Sequence, residues 1–266
     1  MSPLRDWQDL TTDEFEHVDA ERTLALLPVA AIEQHGPHLP LATDALINAG
    51  ILRRLRATGL RTAKILVLPA QIIGNSLEHT AYPGTLHAPP ETLLALWSAI
   101  GRSVARSGLR KLVIFNTHGG QQGLVDLVAL RLRAEEKLLV VRANYFAFGT
   151  PPGLFAVDEL AHGLHGGEVE TSLMLHLHPE QVRLNALTDF AALPRELAAR
   201  NRWLGAEQAI GFGWMAQDLH PTGVCGNAAA GDAERGRQLL DYLTEALASL
   251  LDETAHLPLS TLRERL

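Results

Sequence analysis

Short apolar runs alternate along this chain with longer stretches in which apolar residues recur every three or four positions, the pattern of buried strands alternating with amphipathic helices. Residues 24–32 (LALLPVAAI) read as a buried strand. Proline lacks the N–H that a ladder needs, so Pro28 is expected to mark a sheet edge or an irregularity. Residues 65–68, 111–115 and 138–143 read as further strands. Between them fall expected helices at 43–55, with Thr43 or Asp44 near the N-cap, at 90–106 and at 121–136. The second of these opens on Pro90 and is followed by Gly108, the usual asymmetry of helix ends. After a Pro/Gly-rich stretch at 149–153, helices are expected at 168–176 and 232–250. The βαβα order predicts an α/β protein with a largely parallel sheet covered by helices. No internal repeat and no marked linker divides the chain, so residues 1–266 are expected to form a single domain.

Composition narrows the function. Hydrophobic residues make up 47% of 266 and charged residues 20%, enough for a large core in an ordinary soluble enzyme. The net charge of −7, without a Lys/Arg run, argues against nucleic acid as partner. Cys225 is the only cysteine, so no internal disulfide forms and a reducing cytoplasm is the simplest compartment. No apolar run approaches the roughly 20 residues that span a bilayer. The first 16 residues carry five Asp/Glu, which no secretory leader would, so no membrane partner is expected.

The positions of the histidines and carboxylates are more informative. Ligands of open α/β sheets bind beyond the carboxyl ends of strands. Glu33 and His35 follow the first strand, with a spacing that aims both side chains one way if the chain stays extended. Asp44 follows at the start of the next helix, and His118 directly after the strand KLVIF, in NTHGG. A third cluster, HGGEVETS at 165–172, adds His165, Glu168 and Glu170 at a helix start. Mixed imidazole and carboxylate donors suit Zn²⁺, Mn²⁺ or Fe²⁺, and several carboxylates allow one to bridge two ions. His79, in GNSLEH after a strand, is an intermediate case. His87, His162, His176, His178 and His220 read as structural or surface residues. No serine-nucleophile elbow is present, and Cys225 lacks the signature of a catalytic thiol.

These motifs resemble, in order and over nearly the whole chain, those of the creatininase-like amidohydrolases. The resemblance rests on LPVAAIEQHGPHLPLATD (27–44), on Gly74, Ser76 and His79 with PGT at 83–85, on NTHGG (116–120), on HGGEVETS and on PTGVCG (221–226). It implies a three-layer α/β/α fold, assembly as a homo-oligomer (a hexamer in this family) and a small-molecule substrate. It also implies two divalent metal ions per chain, zinc before manganese or iron. Glu33 and His118 would hold one ion, His35 and Glu170 the other, with Asp44 bridging them. A hydroxide between the ions would attack an amide, lactam or formamide C–N bond of a small, cyclic molecule. His165 or Glu168 would transfer the proton to the leaving nitrogen. The same site could instead serve a cyclic keto-sugar, a lactone or a cofactor-maturation peptide; a non-catalytic metal-binding protein is the last alternative. Two departures set creatinine itself aside as substrate. Gly120 stands where creatinine-hydrolysing members place a glutamate ligand, and no tryptophan lies between Trp97 and Trp203, where they carry a lid. Substrate choice would then rest on loops at 145–165 and 195–222, whose aromatics Tyr145, Phe146, Phe148, Phe155, Trp203, Phe212 and Trp214 either line a pocket or serve as core.

Overall fold

The computed structural model describes residues 4–59, 62–206 and 210–263. In chain order the strands are β1 (Leu4–Asp6), β2 (Thr23–Val29), β3 (Lys64–Val67), β4 (Lys111–Asn116), β5 (Leu139–Asn144), β6 (Asp189–Phe190) and β7 (Gly226–Asn227). The α-helices are α1 (Thr12–Glu16), α2 (Thr43–Thr58), α3 (Pro90–Arg106), α4 (Gln122–Glu136), α5 (Val157–His162), α6 (Glu168–Leu177), α7 (Leu193–Arg200), α8 (Ala216–Leu219) and α9 (Ala233–His256). Strands β1 to β5 form a wholly parallel sheet in the order β1-β3-β2-β4-β5, while β6 and β7 pair antiparallel as a small ribbon.

The sheet is the middle of three layers, because successive strand residues face opposite sides. Leu24 and Leu26 of β2, with Val113 and Phe115 of β4, pack under α2, α6 and α9. Ala25, Leu27 and Val29, with Leu112 and Ile114, pack under α3 and α4. Both faces are covered, which is why every residue of β2 is buried and why its sequence is continuously apolar rather than alternating. No helix among the described residues is long and apolar enough to cross a membrane.

Pro28 departs from expectation: it lies in the central strand, opposite Phe115 of β4, and not at an edge. The reason is local. Leu26 and Pro28 present their backbone groups towards β3, with Leu26 O accepting from Leu68 N and Pro28 O from Gln71 N. The register between β2 and β3 breaks after Leu26↔Val67 and resumes only at the bridge Val29↔Gln71, so the N–H that Pro28 lacks faces the gap between them. The strand also ends at Val29, earlier than expected, because 30–41 leaves the sheet as a loop. The real edge strand, β1, was not foreseen; its three residues, LRD, contain no apolar run and are held by pairing with β3. The helices α2 and α9 run past their expected ends, α2 stopping at Gly59 (φ 80°) and α9 starting from an Asp232 side chain that accepts from Arg235 N at 2.8 Å.

This topology prepares a crevice. The connection from β2 to β3 passes through α2 on one face, and that from β3 to β4 through α3 on the other. The carboxyl ends of β2 and β4 therefore flank a switch point, where loops diverge and a ligand has room.

Candidate metal centre

The loops at that switch point are held by their own polar residues. In NTHGG, Asn116 Oδ1 accepts from His118 N (3.0 Å) and from Gln121 Nε2 (2.9 Å), while its Nδ2 donates to His118 O (2.8 Å). Thr117 Oγ1 donates to Asp44 O at 3.0 Å and so ties this turn to the start of α2. Asp44 sits in the first turn of α2, where free N–H groups and the helix dipole favour a negative charge. Glu170 lies in the first turn of α6, and its Oε2 accepts from Gly166 N at 2.6 Å.

Glu33, His35, Asp44 and His118 are all buried, and they meet. Asp44 Oδ1 lies 3.3 Å from His35 Nε2, and Asp44 Oδ2 lies 3.4 Å from His118 Nδ1. Glu33 Oε1 is 3.2 Å from His118 Nδ1, and Glu170 Oε2 is 3.9 Å from His35 Nε2. Glu33 Oε2, His35 Nε2 and Asp44 Oδ2 are buried without a hydrogen-bond partner. Unsatisfied buried polar atoms are costly, and three aimed into one cluster fit a cation. The far ring nitrogens are oriented as metal-ligating histidines are: His35 Nδ1 faces Glu33 O (3.1 Å) and His118 Nε2 faces Asn75 O (2.8 Å). Each therefore donates outward and turns its other nitrogen to the carboxylates.

Without a metal, protons take the place of the cation. Burial pushes His35 down, but the charge of Asp44, with those of Glu170 and Glu33, outweighs it and raises it to about 9. Burial opposes His118 too, yet Glu33 and Asp44 lift it well above the ordinary value. Burial raises Glu33, but His118, His79 and His165 outweigh it and hold its carboxyl well below the carboxylate range. Burial lowers His79, to about 2 with help from His165, and His38, to about 4. A histidine raised in the fold stabilises fully below its unfolded value of 6.5, and that stability is lost as pH rises through 9. A buried neutral histidine does the reverse, and its contribution is lost as pH falls from 6.5 towards 4 and below. The metal-free chain should thus be most stable near neutral pH, losing on the order of 2 kcal/mol between pH 7 and pH 9 from His35 alone. Thermal unfolding in chelator from pH 5 to 9 reads this directly; a flat profile would sink it.

His165 stands beside the cluster. Its Nε2 faces Gln34 O at 2.6 Å, and its ring lies 4.2 Å from that of His35 and 4.4 Å from that of His79. His79, the intermediate case, is buried with Nε2 3.4 Å from Glu33 Oε1. Gln34 fixes its tautomer: Gln34 Oε1 accepts from Gly36 N, so Gln34 Nε2 donates to His79 Nδ1 at 2.8 Å and to Gly223 O at 2.7 Å. Glu168, the other expected proton carrier, is placed apart from the cluster. Its carboxylate pairs with Arg235 of α9, its own N–H donates to Glu159 Oε1 (2.7 Å), and it does not reach the cluster. Residues 168 and 170 are roughly 200° apart around a helix, so only one of them can face the strand ends. Glu78, which was not foreseen, brings Oε1 to 3.7 Å from His118 Nε2. The one signal for it was its place beside His79 in GNSLEH. Among the described residues, the groups of ligating side chains close enough to hold an ion are Glu33–His79–His165, His35–His165–Glu170, Glu33–His35–Asp44 and Glu33–Glu78–His118. His87, His162, His176, His178 and His220 belong to none of them. Of the loop aromatics, Tyr145 and Phe155 are core, whereas Phe146, Trp203 and Phe212 are exposed; positions 207–209 lie outside the described residues.

Comparison with known proteins bears on this geometry. The sequence profile of the creatininase family, described as creatinine amidohydrolase, matches residues 8–251. A mycofactocin precursor peptide peptidase of Mycobacterium tuberculosis is 34% identical over 228 residues, covering 83% of this chain and 81% of its own. A creatinine amidohydrolase of Pseudomonas putida is 31% identical, covering 68% of this chain and 75% of its own. A creatininase variant structure of the Zn–Zn type superposes with a TM-score of 0.72 at 25% identity, covering 96% of this chain and 99% of that one.

Proposed function

Because the chain belongs to the creatininase family of amidohydrolases, we propose that it is a hydrolase using two divalent metal ions, zinc foremost, to cleave an amide C–N bond. The observation that carries this reading is the Asp44 carboxylate, which turns one oxygen to each of two imidazoles, at 3.3 and 3.4 Å. Glu33, Asp44 and His118 would hold one ion, and His35, Asp44 and Glu170 the other. Such a pair, when bound, polarises a carbonyl and activates water. The remaining work falls to the chain. With Nε2 donating to Gln34 O, His165 leaves Nδ1 bare towards the cluster, where it can accept a proton and deliver it to the leaving nitrogen. Burial, then the charge of His35, lowers its pKa and keeps that nitrogen free. Proton transfer of this kind contributes roughly 10²–10⁴-fold. His79, its Nδ1 occupied by Gln34, offers Nε2–H to the same space and can steady a developing negative charge.

A peptide is the substrate class we favour over creatinine. The 34% identity to a peptide peptidase extends over more of the chain than the 31% identity to a creatinine amidohydrolase, and no tryptophan lies between Trp97 and Trp203. Assembly as a homo-hexamer belongs to the same proposal. Elemental mass spectrometry on protein purified without chelator should find about two transition-metal ions per chain, falling to about one in Glu170→Ala. Peptides and cyclic amides offered to the loaded protein, with cleavage followed by mass spectrometry, then separate the substrate classes. A wild-type chain that takes up no metal would overturn the reading.

A further inference from the structure

We propose that Glu78 is a ligand of the ion held by Glu33 and His118, and that Gly120 lacks a side chain in order to admit it. This rests on the two-metal reading above. Glu78 lies in the short 3-10 turn Leu77–His79, far in sequence from the other ligands. Yet Glu33, Glu78 and His118 offer ligand atoms that all lie within 4.8 Å of one another. Its side chain is 14% exposed, the same as that of Glu170. Two carboxylates brought that close repel each other unless a cation lies between them. Glu33 is itself nearly completely buried, and its Oε2 has no hydrogen-bond partner. With Glu78 included, the four carboxylates of Glu33, Asp44, Glu78 and Glu170 balance the charge of two divalent ions while the imidazoles stay neutral.

Position 120 supplies the independent argument. A Cβ on Gly120 would lie 1.7 Å from Glu78 Oε1, 2.8 Å from its Cδ and 2.9 Å from His118 Nε2. The Glu78 carboxylate therefore fills the volume that any side chain at 120 would need. The turn that carries it is fastened to the turn that carries His118. His118 Nε2 donates to Asn75 O (2.8 Å), Asn75 N donates to Gln121 Oε1 (3.2 Å), and Ser76 N donates to His87 Nδ1 (3.2 Å). A carboxylate held in place beforehand loses little freedom when it binds an ion.

The test is metal content by elemental mass spectrometry, with affinity by chelator competition, on the full chain and on Glu78→Gln, Gly120→Ala and the double variant. Glu78→Gln should lose one of two ions, its affinity falling by more than ~100-fold, beyond what an outer partner of a ligand costs. Gly120→Ala changes no ligand atom, yet its methyl displaces the Glu78 carboxylate, so it should lose the same ion. Both changes act through one carboxylate, so the double variant should be no worse than either alone. Thermal unfolding in chelator should leave Glu78→Gln close to wild type; if it is instead destabilised, Gly120→Ala decides. Two ions in wild type and two in both single variants, with affinity unchanged, overturn this proposal and leave the two-metal reading standing. No ion in wild type overturns that reading itself.

Discussion

If the proposed two-metal site is right, Asp44→Ala should yield a folded chain that binds neither metal ion and has lost its hydrolytic activity. The residue is the shared vertex of the cluster, with one oxygen 3.3 Å from His35 Nε2 and the other 3.4 Å from His118 Nδ1. Removing a group that merely orients a ligand costs roughly 10–100-fold in affinity or activity. Removing a ligand that serves both ions should cost more than ~100-fold in each. The fold should survive, because Asp44 is attached to the neighbouring turn through its backbone oxygen, which accepts from Thr117 Oγ1 and is unchanged by the substitution. Asp44→Asn, which keeps the shape and removes the charge, should lose the ions in the same way. Elemental analysis and circular dichroism on both variants check the result. A variant that retained wild-type metal and rate would remove Asp44 from its bridging place.

Gly236→Ala should be the most damaging single methyl outside the metal centre. Helices α6 and α9 cross at this residue, and an added Cβ would lie 1.9 Å from Ser172 O, 2.4 Å from Ser172 C and 3.0 Å from Leu173 N. Overpacking against a side chain typically costs 1–3 kcal/mol, because the side chain can rotate aside. Here the obstacle is backbone, so the loss should be about 3 kcal/mol or more, even after the ~1 kcal/mol that alanine gains over glycine within a helix. Because α6 carries Glu170 in its first turn, the shift should also weaken binding of the ion that His35 and Glu170 would hold on the proposed reading. Urea unfolding measures the first effect and chelator competition the second. Gly123→Ala in α4 is the control: nothing lies within 4 Å of its added Cβ, so that variant should be as stable as wild type or slightly more. A Gly236→Ala protein within 1 kcal/mol of wild type would rule out the close crossing.

Among the candidate metal-site residues, the division between what was legible and what was not follows from physics. Glu33, His35, Asp44 and His118 could be read because each follows a strand or opens a helix, and strand ends in a parallel sheet share one rim. Glu168 and Glu170 could not be told apart by periodicity alone, since either might face the sheet until the packed face of α6 is known. Arg235 on α9 takes Glu168, and the rim takes Glu170. Glu78 gave almost no signal, because its neighbours in space come from separate loops, and a lone carboxylate in a short turn is ordinary.

The same holds for the scaffold. By itself the sequence determined the strands β2 to β5, the longer helices α2, α3, α4, α6 and α9, and the fold class: short continuous apolar runs, helices with proline at the start or glycine just beyond the end, and a sheet covered on both faces. Those are local properties, decided by backbone geometry and by which side chains leave water. Only the tertiary structure decided that Pro28 lies in the central strand, that three residues after Met1–Pro3 become an edge strand, and that a bare Gly120 faces the carboxylate of Glu78. Each of these depends on which backbone stops pairing, or which side chain fills a volume, at a point far away along the chain, and so is decided only when the layers close.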